Sequence, residues 1–318
     1  MNNIEENLVK FFDIESEVRD HINTHRYQKV LISKLDNWSQ ICSSLDTLGD
    51  TGLALKSYFN SDFPTEAGLS YIYTYGLLQA LFIQQDAMNH LSEAFEVPYE
   101  LSDELKSIRA VRNASIGHPT KNRVKKTTYY NHISRISMSK GGFTLARFYD
   151  EGESEFIDVN FKNIVEIQLI GINNAYALIS DKLREIDEQH RAKFMEKPLA
   201  DILHSTMGYM FEKVGQAIYS PSNLNVSFGL NMLESIEETY NNFQSALQDR
   251  NELPDHTQYE LDEYFHGIKR VKAYLTNSNV SDFSESDARI FLFYLQKSHK
   301  SFENLAREID EDYVEKEV

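Results

Sequence analysis

The chain has 318 residues with a formal net charge of -17, and 41% of its residues are hydrophobic and 12% aromatic. That is enough apolar material for a packed core and rules out general disorder. The lone cysteine, Cys42, excludes an internal disulfide framework and a cysteine-based zinc cluster. With only 6 prolines and 13 glycines, long helices are favoured over a many-turned β protein. The opening MNNIEENLVKFF lacks the basic start and cleavage site of a signal peptide. The longest apolar run, YIYTYGLLQALFI, is shorter than the roughly 20 residues that cross a bilayer. A soluble, cytoplasmic protein with no membrane partner is expected.

In chain order, residues 3–24 carry Leu8, Phe11, Phe12, Val18 and Ile22 on one helical face. Residues 28–46 continue with Val30, Leu31, Leu35, Trp38 and Ile41, and LGDTG is expected to break that helix. Pro64 and EVPYE bracket a long helix over 65–95. Ser102 is the expected N-cap of the next helix, which carries Leu105, Ile108 and Val111 at spacing three. The β-branched and aromatic residues of about 128–161 then predict two or three short antiparallel strands, with Gly141-Gly142 and Asp150-Glu151-Gly152 as turns. Helix resumes over 162–188, where Val165, Leu169, Ile172, Tyr176, Ile179 and Leu183 form a buried stripe. MEKPL suggests a boundary, giving a domain of 1–195 and a C-terminal accessory domain of 196–318. The latter is expected to contain helices over 198–219, 223–250, 256–277 and from Ser284 onward. The fold class expected is mainly α: a helical bundle, a small antiparallel β insertion and an additional C-terminal helical region.

Charge is unevenly distributed. Between Leu105 and Tyr149 lie ten basic residues and no Asp or Glu. Such segregation makes a local positive field that suits phosphate, although pairing with acidic surfaces elsewhere also explains it. Within it sits RNASIGHPT, 112–120. Arg112 and His118 lie roughly 120° apart on an ideal helix, so they converge only if the helix ends between them. Gly117 permits a left-handed stop and Pro119 disfavours helix at His118. Gly-His-Pro also reads simply as a C-terminal stop, its histidine facing the helix dipole.

Arg112-Asn113 followed by four residues and His118 resembles the R-N-x-x-x-x-H form of the signature of HEPN ribonucleases, and the long upstream helix suits their helical bundle. The likeness spans about 30–190. It implies metal-independent RNA cleavage by 2′-hydroxyl attack, giving a 2′,3′-cyclic phosphate. In that reading His118 transfers protons, Arg112 stabilises the phosphorane charge and Asn113 orients His118 or the phosphate. It also implies a homodimer with a composite active site, and roles as a toxin or antiviral defence effector with an antitoxin or regulatory partner. The alternative is a non-catalytic HEPN-like adaptor, sensor or immunity subunit.

Gln79, Asp86 and His90 share a stripe on the long helix, and Asp86 is the candidate to orient Arg112; a solvated helix face explains the stripe equally well. Arg109, Lys121, Arg123, Lys125 and Lys126 are the candidate RNA-binding cations. Tyr129 and Tyr130 suit base stacking but fit strand packing better. Glu17, His21 and His25 recur at helical spacing but look like a polar helix face; no metal site is expected. Without a Walker loop or GxGxxG, no cofactor is expected either.

Overall fold

A computed structural model describes residues 3–32, 35–124, 127–150, 152–203, 205–276 and 283–314. The chain divides into two compact units: 1–24 with 31–185, and 25–30 with 186–318. The division falls inside one long helix, ahead of MEKPL.

The first unit begins with α1 (Asn3–Asn23); α2 (His25–Ile32) follows it in the chain. Next, α3 (Leu35–Asn60) runs straight through LGDTG, so the expected break is absent. The glycines serve close packing instead. A Cβ on Gly49 would meet Glu15 Oε1 at 2.8 Å, and one on Gly52 would meet the Phe11 ring at 2.6 Å. The helix keeps its course at some cost in propensity so that α1 can approach it.

The long helix α4 (Ala67–Ala94) is N-capped by Glu66, whose carboxylate accepts from the backbone N–H of Gly68 and Leu69. Ser102 caps α5 (Asp103–Arg112) as expected, its hydroxyl accepting from Leu105 N at 3.3 Å. Four strands follow rather than two or three: β1 (Asn122–Val124), β2 (Thr127–Ile133), β3 (Gly142–Tyr149) and β4 (Glu155–Asn160). They form one antiparallel sheet in sequential order. Among the described residues β1 pairs only with β2, and three residues are too few to show alternation. At the β2–β3 connection Gly142 adopts φ +143°, and a Cβ there would sit 1.8 Å from Val159 O, so only glycine fits.

The inner face of the sheet presents Ile133, Phe143, Leu145 and Val159, all buried in the same cluster as Tyr58 and Phe161. The final helix, α6 (Phe161–Phe194), starts one residue earlier and runs six residues further than expected. Its stripe from Val165 to Leu183 is buried throughout, at 3% exposure or less. A second cluster in this unit joins α1, α3, α4 and α6 through Phe11, Ile41, Met88 and Tyr176.

The second unit holds α7 (Met207–Tyr219), α8 (Asn223–Asp249), α9 (Asp255–Leu275) and α10 (Glu285–Glu311) around one core. The expected 198–219 helix is split, because Pro198 opens only a 3-10 turn over Leu199–Asp201. Ser284 and Asp287 form the capping box of α10. Tyr240, Tyr264 and Phe302 meet at the centre. His299 is buried beside them, with Nδ1 2.9 Å from the Tyr240 hydroxyl and Nε2 3.6 Å from Glu303.

Burial pushes the His299 pKa down, with Glu303 acting weakly in the opposite sense. The unfolded chain therefore takes up a proton more readily than the folded one. The stability tied to the neutral ring is full above the unfolded histidine pKa of about 6.5 and is lost as pH falls through the folded value. Denaturant midpoints measured from pH 7.5 down to 5 should fall for the second unit, and His299→Gln should flatten that slope.

Among the described residues no helix is long and apolar enough to cross a membrane.

Candidate functional site

The RNASIGHPT stretch closes α5 with a wide turn. His118 N donates to Asn113 O at 2.8 Å, five residues back, so Asn113–Gly117 forms a single π-turn. Gly117 is not left-handed; the only glycines at positive φ among the described residues are Gly142 and Gly152. Its need is space. A Cβ at 117 would meet Arg112 Nη1 at 2.8 Å and Asn113 Oδ1 at 3.1 Å. The guanidinium thus lies against the backbone of the residue just before the histidine.

Among the described residues Arg112 is held without a carboxylate. Its Nε and Nη2 both donate to Gln79 Oε1, at 3.2 and 2.7 Å, and Nη1 donates to Asn113 Oδ1 at 2.9 Å. The guanidinium carbon stacks 4.3 Å from the Phe82 ring centre. These partners are neutral, so among the described residues the positive charge stays uncompensated at close range, and two of the five N–H donors of the group are left over. Asn113 spends its carbonyl oxygen on Arg112 rather than on His118.

Asp86 does not reach Arg112. It pairs with Arg109, whose Nε also donates to Gln85 Oε1 at 2.7 Å and whose guanidinium lies 4.4 Å from the same Phe82 ring. Gln79 takes the place expected of Asp86, because it lies two turns nearer the start of α4. The third member of the stripe, His90, is exposed beside Glu93 at 3.5 Å. Behind these residues Gln84, Gln85 and Gln168 are fully buried and bonded in series, with Gln85 Nε2 donating to Gln168 Oε1 at 2.7 Å and to Leu105 O at 3.2 Å. Gln168 Nε2 donates in turn to Gln84 Oε1 at 3.1 Å. This amide ladder ties α4, α5 and α6 together and fixes where Arg112 stands.

His118 is exposed, and among the described residues its imidazole forms no hydrogen bond to Arg112. The backbone around it is fixed: the Asn122 amide donates to His118 O, and Asn131 N donates to Pro119 O at 2.8 Å. The first two strands thereby clamp the loop that carries the histidine.

The basic segment separates into two groups. Lys106, Arg109 and Arg147 pair with Asp103, Asp86 and Glu155, and Lys140 donates to Ser61 O. Lys121, Arg123 and Arg135 are exposed, and none forms an ion pair among the described residues. Arg109 is therefore committed to the framework, while Lys121 and Arg123 stay open for a ligand. Lys125 and Lys126 lie outside the described residues. Elsewhere, Glu17 accepts from Arg184 at 2.6 Å. Among the described residues no three His, Cys, Asp or Glu side chains are grouped to hold a metal ion.

No protein-family model, curated protein or solved structure matches the chain.

Proposed function

We propose that the first unit is a HEPN-type endoribonuclease that cleaves RNA without a metal ion, with Arg112, Asn113 and His118 at its centre. The observation that carries this reading is the setting of Arg112: a guanidinium fixed by Gln79, Asn113 and Phe82, paired with no carboxylate among the described residues, and lying against Gly117, the residue before an exposed histidine on a clamped turn. A purely structural arginine would more commonly be neutralised, as Arg109 is by Asp86.

In the reaction, the ribose 2′-oxygen attacks the adjacent phosphorus while its proton passes to a base. The bond from phosphorus to the 5′-oxygen breaks, and that oxygen takes a proton from an acid. The products are a 2′,3′-cyclic phosphate and a 5′-hydroxyl. An imidazole suits either proton transfer near neutral pH. The two free N–H groups of Arg112 serve the charge that builds on the phosphoryl oxygens. One chain supplies one such histidine, so base and acid come from two copies facing one cleft. The exposed Leu69, Ile72 and Tyr75 on α4, just before Gln79, support pairing through that helix.

Cleavage of a mixed RNA pool in EDTA tests the reading; cleavage that requires added magnesium would count against it. Gly117→Ala tests the geometry. Alanine suits the backbone at 117, but its methyl pushes on the far end of Arg112. The expected result is a fall in cleavage of about 10- to 100-fold, the scale that a misplacement near 1 Å produces, with an unchanged unfolding midpoint.

The competing reading is a HEPN-like adaptor that binds partners without catalysis. It predicts no cleavage and indifference to Gly117→Ala.

A further inference from the structure

The sheet has a second face that the core does not use. Registered pairs place Arg123 beside Thr128, Tyr130 beside Phe148, and His132 beside Ala146, which in turn pairs with Phe156. Paired residues share a face, and these alternate with the buried Ile133, Leu145 and Val159, so they point outward. The outward rings form a connected surface. His132 stacks on Phe148 at 5.0 Å and 14°, and Phe156 meets Phe148 edge-on at 6.4 Å. Phe156 is 69% exposed, and Tyr130 and Phe148 are more than a third exposed. Ala146, paired with His132 on one side and Phe156 on the other, is 3% exposed.

The acids nearest this face are engaged: Asp158 accepts from Thr144 at 2.8 Å, and Asp150, in the turn after β3, lies beside Tyr130 and raises its hydroxyl pKa, while Glu155 pairs with Arg147 on the inward face. At the β1 margin Lys121 and Arg123 are exposed and form no ion pair among the described residues. The same margin is bonded to the histidine loop through Asn122 and Asn131. A row of open rings beside a cationic edge is what a single strand of nucleic acid needs, because every base offers a π-face and every linkage a negative charge. A duplex hides its bases and gains little from the rings.

We propose that the outward face of the sheet, through Tyr130, His132, Phe148 and Phe156 with Lys121 and Arg123 at its edge, is a stacking platform for single-stranded RNA that delivers the strand to the turn bearing His118. The choice of RNA rests on the ribonuclease reading. Tyr129, by contrast, faces inward: it lies 6.0 Å from Tyr149 and carries the Arg147 guanidinium over its ring at 4.9 Å.

The test uses the full chain carrying His118→Ala, so that the probe stays intact, and a fluorescein-labelled unstructured 12-nucleotide RNA whose anisotropy is followed in EDTA. In that background Phe148→Ala and Phe156→Ala are each expected to weaken binding about tenfold, within the range that one base stacked on one ring supports. Phe148→Tyr should restore it. Arg123→Ala should lower the slope of log affinity against log salt by about 0.7, the value for one phosphate contact on a single strand. The duplex of the same sequence should bind more weakly. Affinity unchanged by both phenylalanine variants, equal affinity for the duplex, or no RNA binding by the parent would each overturn the platform. Ring-dependent binding with no cleavage by the unsubstituted protein keeps the platform and removes the ribonuclease. Cleavage with ring-independent binding does the reverse.

Discussion

His118→Ala is expected to lower RNA cleavage by about 10²- to 10⁴-fold, the contribution of a positioned proton-transfer group, without moving the unfolding midpoint. Both halves follow from the geometry. The imidazole is exposed, and the two hydrogen bonds that hold the residue, His118 N to Asn113 O and the Asn122 amide to His118 O, use only its backbone. Alanine keeps both. Arg112→Lys makes a useful companion, because it preserves the charge while losing the two-pronged hold on Gln79 and the flat stack on Phe82. It should reduce cleavage by about 10²- to 10³-fold, as removal of one donor to a developing oxyanion does. Initial rates on a fluorogenic RNA, with thermal unfolding measured alongside, check both. Unaltered rates in His118→Ala would leave the proposed site without a function.

The largest effect on stability is expected at Asp187 in the second unit. This carboxylate is 4% exposed and receives Arg26 on one oxygen and Arg191, at 2.5 Å, on the other. Arg26 is itself buried and also reaches Glu252 at 3.2 Å, and its position on α2 makes Asp187 an anchor for that helix within the unit. Asp187→Ala strips a buried guanidinium of its nearest acceptor. Breaking a buried pair in this way costs about 3 to 5 kcal/mol, because the remaining charge stays out of water; Glu252 keeps the expected loss near the lower end, about 3 kcal/mol. The exposed pair of Arg19 with Asp46, whose carboxylate is 71% exposed, is the contrast. Asp46→Ala should cost under about 1 kcal/mol. Urea unfolding followed by far-ultraviolet circular dichroism distinguishes them, and equal small effects would show that the Asp187 cluster carries little of the stability.

Much of the fold was legible in the sequence for local reasons. The α6 stripe from Val165 to Leu183 repeats at helical spacing and is buried at every position. Ser102 and Ser284 stand at helix starts because a short hydroxyl side chain satisfies a free backbone N–H there. The misreadings share one origin, which is that packing partners are distant in sequence. Gly49 and Gly52 read as punctuation, yet they make room for Glu15 and Phe11 of another helix. Gly117 reads as a left-handed cap, yet it makes room for Arg112. Periodicity placed Gln79 and Asp86 on one side of α4. Which of them meets Arg112 depends on how α5 lies against α4, set in part by the buried ladder of Gln84, Gln85 and Gln168. Strand β1 carries no legible period, because it is three residues long and sits at the edge of the sheet beside β2. Of the outward rings, the sequence offers Tyr130, with strand packing as its better fit, and Phe148 and Phe156 join it only once the register is known.

The most direct measurement is end-group analysis of RNA treated in EDTA with the unsubstituted protein and with His118→Ala. A 2′,3′-cyclic phosphate and a 5′-hydroxyl, formed by the unsubstituted protein and lost in the variant, is the predicted result. A 3′-hydroxyl with a 5′-phosphate, or the same products in equal yield from both proteins, would contradict a HEPN-type ribonuclease centred on Arg112 and His118.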